Sequence, residues 1–139
     1  MMVVFIFILG LFVGSFLNVV VLRLHRQESF VKGYSKCLFC GHRLYARDLV
    51  PLFSYLQLRG KCRYCKHGFS AQYPMVELAT GLTFALVFTN IFPHFTQMTL
   101  VWQDWVQFFL WLTMTAFLII VFIYDLKYYL ILDVVVIPA

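Results

Sequence analysis

The sequence predicts an all-α polytopic membrane protein, with three full transmembrane helices and the start of a fourth, carrying a small cytosolic zinc-ribbon-like insert. Three observations predict it. Of the 139 residues, 63% are hydrophobic and only 12% charged, far from the balance of a soluble domain. The apolar residues fall in long uncharged runs. Ten of the eleven Lys and Arg lie between Arg23 and Lys66, in the interval that also holds all four cysteines. A basic block beside apolar spans is first a topology signal. The net charge of +5 by itself suits a nucleic-acid partner, but its concentration in that interval is explained by topology instead, with no nucleic acid needed, and places the interval in the cytoplasm and the N-terminus outside.

Residues 1–22 form the first transmembrane helix. Met2 to Leu22 is 21 residues without a charge, enough for about 30 Å of helix, the thickness of a bilayer core. No basic n-region or small-residue cleavage site marks it as a signal peptide, so it is expected to stay as an anchor. Gly10 and Gly14, four apart, make a face on which another helix packs closely. Asn18 offers a polar group near the basic end, for a neighbouring helix or for function. The sequence shows no internal repeat and no low-complexity tract.

Residues 23–74 form the cysteine-rich insert. Cys37 and Cys40 make one Cys-x-x-Cys pair, Cys62 and Cys65 another, with 21 residues between them. Each pair sets two soft ligands on one tight turn, and two such turns make a tetrahedral thiolate cage suited to zinc. Two disulfides, or four reduced thiols packed as small hydrophobes, are the alternatives, and a reducing compartment disfavours the first. His42 and His67 each follow a pair by two residues, but four thiolates already complete a tetrahedron. Pro51 and Gly60 predict short turn-bounded elements rather than one long helix. Some 50 residues hardly build a core unaided, so metal is expected to hold the insert folded.

Residues 75–139 hold helices 2 and 3, an Asp motif and the start of helix 4. Span two is expected from Met75 or Val76 to Phe92, with Pro74 at its boundary and Glu77 in its first turn. Glu77 reads equally as an acid at the positive end of the helix dipole and as a functional ionisable group near a span. Pro93 to Asp104 lacks Lys and Arg, as an outside loop should, and Trp102 and Trp105 suit an interfacial belt. His94 and Asp104 read as solvated. Span three covers Trp105 to Tyr124, placing Asp125 directly at its end, with Lys127 and the tyrosines as interface anchors. Asp133 follows, and a fourth apolar run opens at Val134.

At this point the wording resembles the bacterial type IV prepilin leader peptidase and N-methyltransferase family, an aspartic peptidase family. The matching text is GSFLNVVVLRL at 14–24, the two cysteine pairs, RDLVPLFSYLQLRGKCRYC at 47–65, SAQYPMVELATG at 70–81 and YDLKYYLILD at 124–133. The resemblance implies a multi-pass enzyme of the bacterial inner membrane. Such an enzyme cleaves the leaders of type IV prepilins or type II secretion pseudopilins at the cytoplasmic face. It also implies, for many members, N-methylation of the new N-terminus with S-adenosylmethionine, although no residues here can be assigned to that cofactor. By resemblance Asp125 is the first catalytic aspartate and Asp133 the acid of a following motif, with Leu132 in place of its proline. Asp133 and Glu77 then stand as supporting acids, and Cys37, Cys40, Cys62 and Cys65 as structural zinc ligands.

The family's second catalytic aspartate lies in a Gly-Asp pair, and no such pair occurs in this sequence. The chain therefore looks like an N-terminal half. An aspartic peptidase needs two carboxylates close enough to share a proton. In a continuous helix Asp133 would stand about 12 Å along the axis from Asp125, too far for a dyad. The chain alone is expected to be inactive, and its partners to be substrate, bilayer and a missing C-terminal half or second subunit. Two competing readings are a noncatalytic membrane-anchored zinc-binding interaction module and a membrane thiol oxidoreductase.

Overall fold

A computed structural model of the chain describes residues 1–27, 29, 33–91 and 102–128. Helix α1 is Met2–His25, α2 Phe53–Gln57, α3 Gln72–Ile91 and α4 Trp102–Tyr128, with a single 3-10 turn at Ala46–Asp48. Among the described residues there is no strand, only two isolated bridges, Lys36 to Arg43 and Lys61 to Gly68. Asp133 and the expected fourth span lie outside the described residues.

Helices α1 and α4 are long and apolar enough to cross a membrane. The expected third full span is not confirmed on that measure, because α3 carries Glu77, three threonines and Asn90 in its 20 residues. Its hydroxyls are satisfied within the helix: Thr80 donates to the Val76 carbonyl at 2.7 Å and Thr83 to that of Ala79 at 2.7 Å. Helix α3 also starts earlier than expected, so Glu77 is its sixth residue and no acid stands in its first turn. The dipole reading of Glu77 is thereby corrected.

Packing between α1 and α3 is backbone to backbone. A Cβ built on Gly10 would lie 2.7 Å from the Gly81 Cα, and one on Gly14 2.8 Å from the Glu77 Cα. In lipid, where apolar burial drives little, such close approach of small residues holds helices together. Ile6 of α1, Phe84 and Phe88 of α3, and Phe108 and Leu112 of α4 form one buried cluster. Val21, Val76 and Ile123 form the other. The start of α1 thus meets the end of α3 and the start of α4. Helix α3 runs antiparallel to both, and α4 returns the chain to the end that bears the insert. Exposed Phe12, Phe16, Leu82, Leu86, Phe117 and Leu118 point away from this packing.

The insert contains a repeat that its sequence was expected to lack. Lys36-Cys37-x-x-Cys40-x-His42 and Lys61-Cys62-x-x-Cys65-x-His67 fold alike. Cys37 N–H donates to the His42 carbonyl at 2.9 Å, and Cys62 N–H to that of His67 at 2.8 Å. Gly41 and Lys66, equivalent positions, both take the left-handed conformation, with φ of 70° and 60°. The two motifs stand 25 residues apart and share only Lys, Cys, Cys and His at identical spacing, a pattern too short to read as an internal repeat until the backbone shows both turns alike.

Candidate functional site

The two knuckles face each other across a pseudo-twofold arrangement. Phe39 of the first stacks on His67 of the second at 3.2 Å between centroids, and Tyr64 of the second on His42 of the first at 3.7 Å. Both histidine rings are therefore occupied in stacking, while the thiols converge. All four sulfurs lie within 4.8 Å of one another, with Cys37 Sγ 3.8 Å from Cys65 Sγ. A tetrahedral zinc site with Zn–S bonds of about 2.3 Å requires sulfurs about 3.8 Å apart, so the donor set and its spacing fit zinc. The four cysteines are not in disulfides. The inner pair, Cys37 and Cys62, is buried and the outer pair, Cys40 and Cys65, exposed.

The thiols do not ionise alike. Burial raises Cys37, but the N–H groups of Cys40 and Phe39 and neighbouring thiols bring it down to about 7. Cys65 receives the N–H of His67, which lowers it, yet burial and the three other thiols push it up to about 11. Four negative sulfurs this close need a cation among them.

One residue passed over in sequence ties the knuckles together. The Asp48 carboxylate, with its side chain 2% exposed, accepts from Arg63 Nε at 2.7 Å. It also accepts from the Tyr64 hydroxyl and the Tyr45 N–H, each at 3.2 Å. Burial alone would raise its pKa, but these donors hold it below the usual carboxylate range. Its only sequence signal is an acid within a basic stretch.

The insert docks on the bundle through buried polar groups. Glu77, 8% exposed, accepts the Leu52 N–H at 2.8 Å. Leu52 takes φ of 58°, a conformation costly for a leucine, so this bond fixes an otherwise unfavoured turn. Buried Asn18 donates to the Tyr73 carbonyl at 3.1 Å, which absorbs its amide in helix-to-helix contact. The Arg23 guanidinium holds the carbonyls of Ser29 and Tyr34 at 3.0 and 3.2 Å. Between the insert and the ends of α1 and α3 lies a cavity of about 610 Å³.

Asp125 lies in the last turn of α4, half-buried, because the helix continues to Tyr128 instead of ending before it. Ile123, two residues earlier, packs on Val21 and Val76, so Asp125 stands at the insert end of the bundle. Asp104, in the first turn of the same helix, is some 30 Å away along the axis. Glu77 is on the adjacent helix at the same end as Asp125, engaged with the insert.

A helical bundle capped at one end by a four-thiolate module is the class of protein these features define. The Bacterial Peptidase A24 N-terminal domain matches residues 8–91. The chain is 52% identical over 81 residues to the prepilin leader peptidase/N-methyltransferase of Myxococcus xanthus, covering 58% of this chain and 24% of that protein. It is 39% identical over 106 residues to the protein of that name from Burkholderia pseudomallei, covering 58% and 34%. With that of Bacillus subtilis it shares 39% over 80 residues, covering 58% and 32%. The chain belongs to the prepilin leader peptidase/N-methyltransferase family. Its match spans about a quarter to a third of the length of these relatives. No solved structure matches it.

Proposed function

We propose that this chain contributes to an aspartic prepilin leader peptidase at the cytoplasmic face of the bacterial inner membrane, with the N-terminus outside and the insert inside. The observation that carries the reading is the return of α4, which brings Asp125 to the bundle end that bears the thiolate module. A basic leader lying along the inner membrane surface would meet both. Asp125 serves as one of two carboxylates. One accepts a proton from the attacking water while the other donates one to the scissile carbonyl. The second carboxylate comes from outside these 139 residues, which taken alone do not cleave. Asp133 and Glu77 act as supporting acids, Glu77 by holding the insert in place. The substrate is a type IV prepilin or a type II secretion pseudopilin.

Zinc in this reading is structural: Cys37, Cys40, Cys62 and Cys65 hold it, and no step of cleavage passes through it. The relatives' names also include N-methyl transfer, and this chain is assigned to that activity with S-adenosylmethionine as donor. The test is a chimera in which residues 1–128 precede the remainder of the Myxococcus xanthus relative, assayed with a prepilin in lipid nanodiscs. Leader removal that disappears with Asp125→Asn supports the reading. Cleavage that survives the substitution refutes it. A noncatalytic module would tolerate Asp125→Asn and fail only with Cys→Ser.

A further inference from the structure

Ile123 is the last buried residue of α4, so full apolar burial ends two residues before Asp125. The last turn of a helix has carbonyls without intrahelical donors and frays readily. A carboxylate that shares a proton with a second one must nonetheless hold its place to a fraction of an ångström. What holds this turn is a set of ring contacts from the other two long helices. His25, the last residue of α1, stacks on Tyr128 with ring centroids 3.6 Å apart and planes inclined by 9°. The same imidazole meets Tyr124 edge-on at 6.5 Å, and the two tyrosine rings lie 5.0 Å from each other. From α3, the Tyr73 ring faces the Lys127 ammonium at 5.8 Å. Asp125 follows Tyr124 by one residue and precedes Tyr128 by three, about 100° and 60° away around the axis. The turn that His25 grips at both ends is therefore the one that carries it. A basic residue at a helix C-terminus ordinarily serves its own carbonyls; a flat stack on a neighbouring helix is a different task.

We propose that His25 is a positioning residue for leader cleavage: its ring closes on Tyr124 and Tyr128 and keeps the Asp125 carboxylate where the second carboxylate meets it. The inference rests on the peptidase reading above and gives a residue outside the acids a share in it. His25 touches no reacting atom and moves no proton. It acts through order: an aromatic pair contributes enough to shift the balance between ordered and frayed turn by roughly three- to tenfold, and kcat follows the ordered fraction. Substrate binding along the inner membrane surface does not pass through the stack, so KM is unaffected. Phenylalanine keeps a flat ring at this position, whereas leucine fills similar space without one.

Hydrogen exchange followed by mass spectrometry on the zinc-loaded 139-residue chain in lipid nanodiscs reads the order of the turn directly. His25→Leu should speed exchange at the amides of residues 124–128 by roughly three- to tenfold, and leave residues 108–115 and the zinc content as in the parent. In the chimera described above, the same substitution should lower kcat for leader removal by a similar factor without changing KM. His25→Phe should return both readouts to within about twofold of the parent. The inference is overturned if His25→Leu leaves exchange in that turn unchanged, if exchange rises equally along α4, or if His25→Phe behaves as His25→Leu does. Leader removal that is lost with Asp125→Asn but unmoved by His25→Leu overturns the inference and leaves the peptidase reading standing. Leader removal that survives Asp125→Asn refutes the peptidase reading itself and overturns the inference with it.

Discussion

Asp48→Asn is the perturbation whose size the structure fixes best. The carboxylate is 2% exposed and makes a 2.7 Å charged bond to Arg63, with further bonds to Tyr64 and Tyr45. Asparagine keeps one acceptor oxygen and turns an amide N–H toward a donor. Loss of the charged bond costs about 1.5–3 kcal/mol, and a mismatched buried group adds about 1–3 kcal/mol. Arg63 is 31% exposed and recovers some hydration, so a total of about 3 kcal/mol is expected. Where metal binding supplies the folding free energy of a small module, that loss appears in metal affinity, a weakening of about a hundredfold. Competition for zinc between the chain in nanodiscs and a chromophoric chelator at neutral pH measures it. Because Asp48 is held below its ordinary value, its contribution is whole above about pH 4, the ordinary aspartate value. It disappears only as pH falls further, so the deficit should be constant from pH 6 to 8. Zinc affinity within threefold of the parent would refute the assignment of Asp48 as the tie between knuckles.

Other substitutions test neighbouring parts of the account. Gly60 has φ of 68°, and a Cβ there would lie 2.8 Å from the Tyr55 hydroxyl. Gly60→Ala should therefore destabilise the insert by at least about 1–2 kcal/mol, seen as earlier zinc release on heating. Lys66→Gly, which places glycine where Gly41 stands in the other knuckle, should leave zinc affinity equal or higher, because relief of strain offsets the added chain entropy. Gly14→Leu should separate α1 from α3 at Glu77 and weaken cross-linking of cysteine pairs placed across that crossing, whereas the exposed Phe12→Leu should not. Removal of zinc with a strong chelator should abolish near-ultraviolet dichroism from the insert's tyrosines while far-ultraviolet helicity from α1 and α4 persists.

Much of this arrangement was legible in the residues. The uncharged run from Met2, the Gly10–Gly14 spacing and the two cysteine pairs each follow from a short local rule, and the structure places each accordingly. What escaped were contacts between distant residues. Asp48 reads as one more charge until Arg63 and Tyr64 are brought beside it. Glu77 looks like a first-turn acid because Pro74 resembles a helix start, yet the helix opens at Gln72 and the carboxylate reaches an insert turn 25 residues away in sequence. Four thiolates already left His42 and His67 out of the metal shell; their stacking across the knuckles is the part that no local rule supplied. The end of α4 was placed at Tyr124 because a charged aspartate follows, whereas its packing through Ile123 and Tyr128 carries the helix on.

The central claim is that four sulfurs from two repeated knuckles enclose one metal ion and so hold the insert on the bundle end. Zinc-edge X-ray absorption on the purified chain in nanodiscs tests it most directly. The account predicts one zinc per chain with four sulfurs at about 2.3 Å. A shell containing nitrogen from His42 or His67, fewer than four sulfurs, or zinc bound only between chains would contradict it.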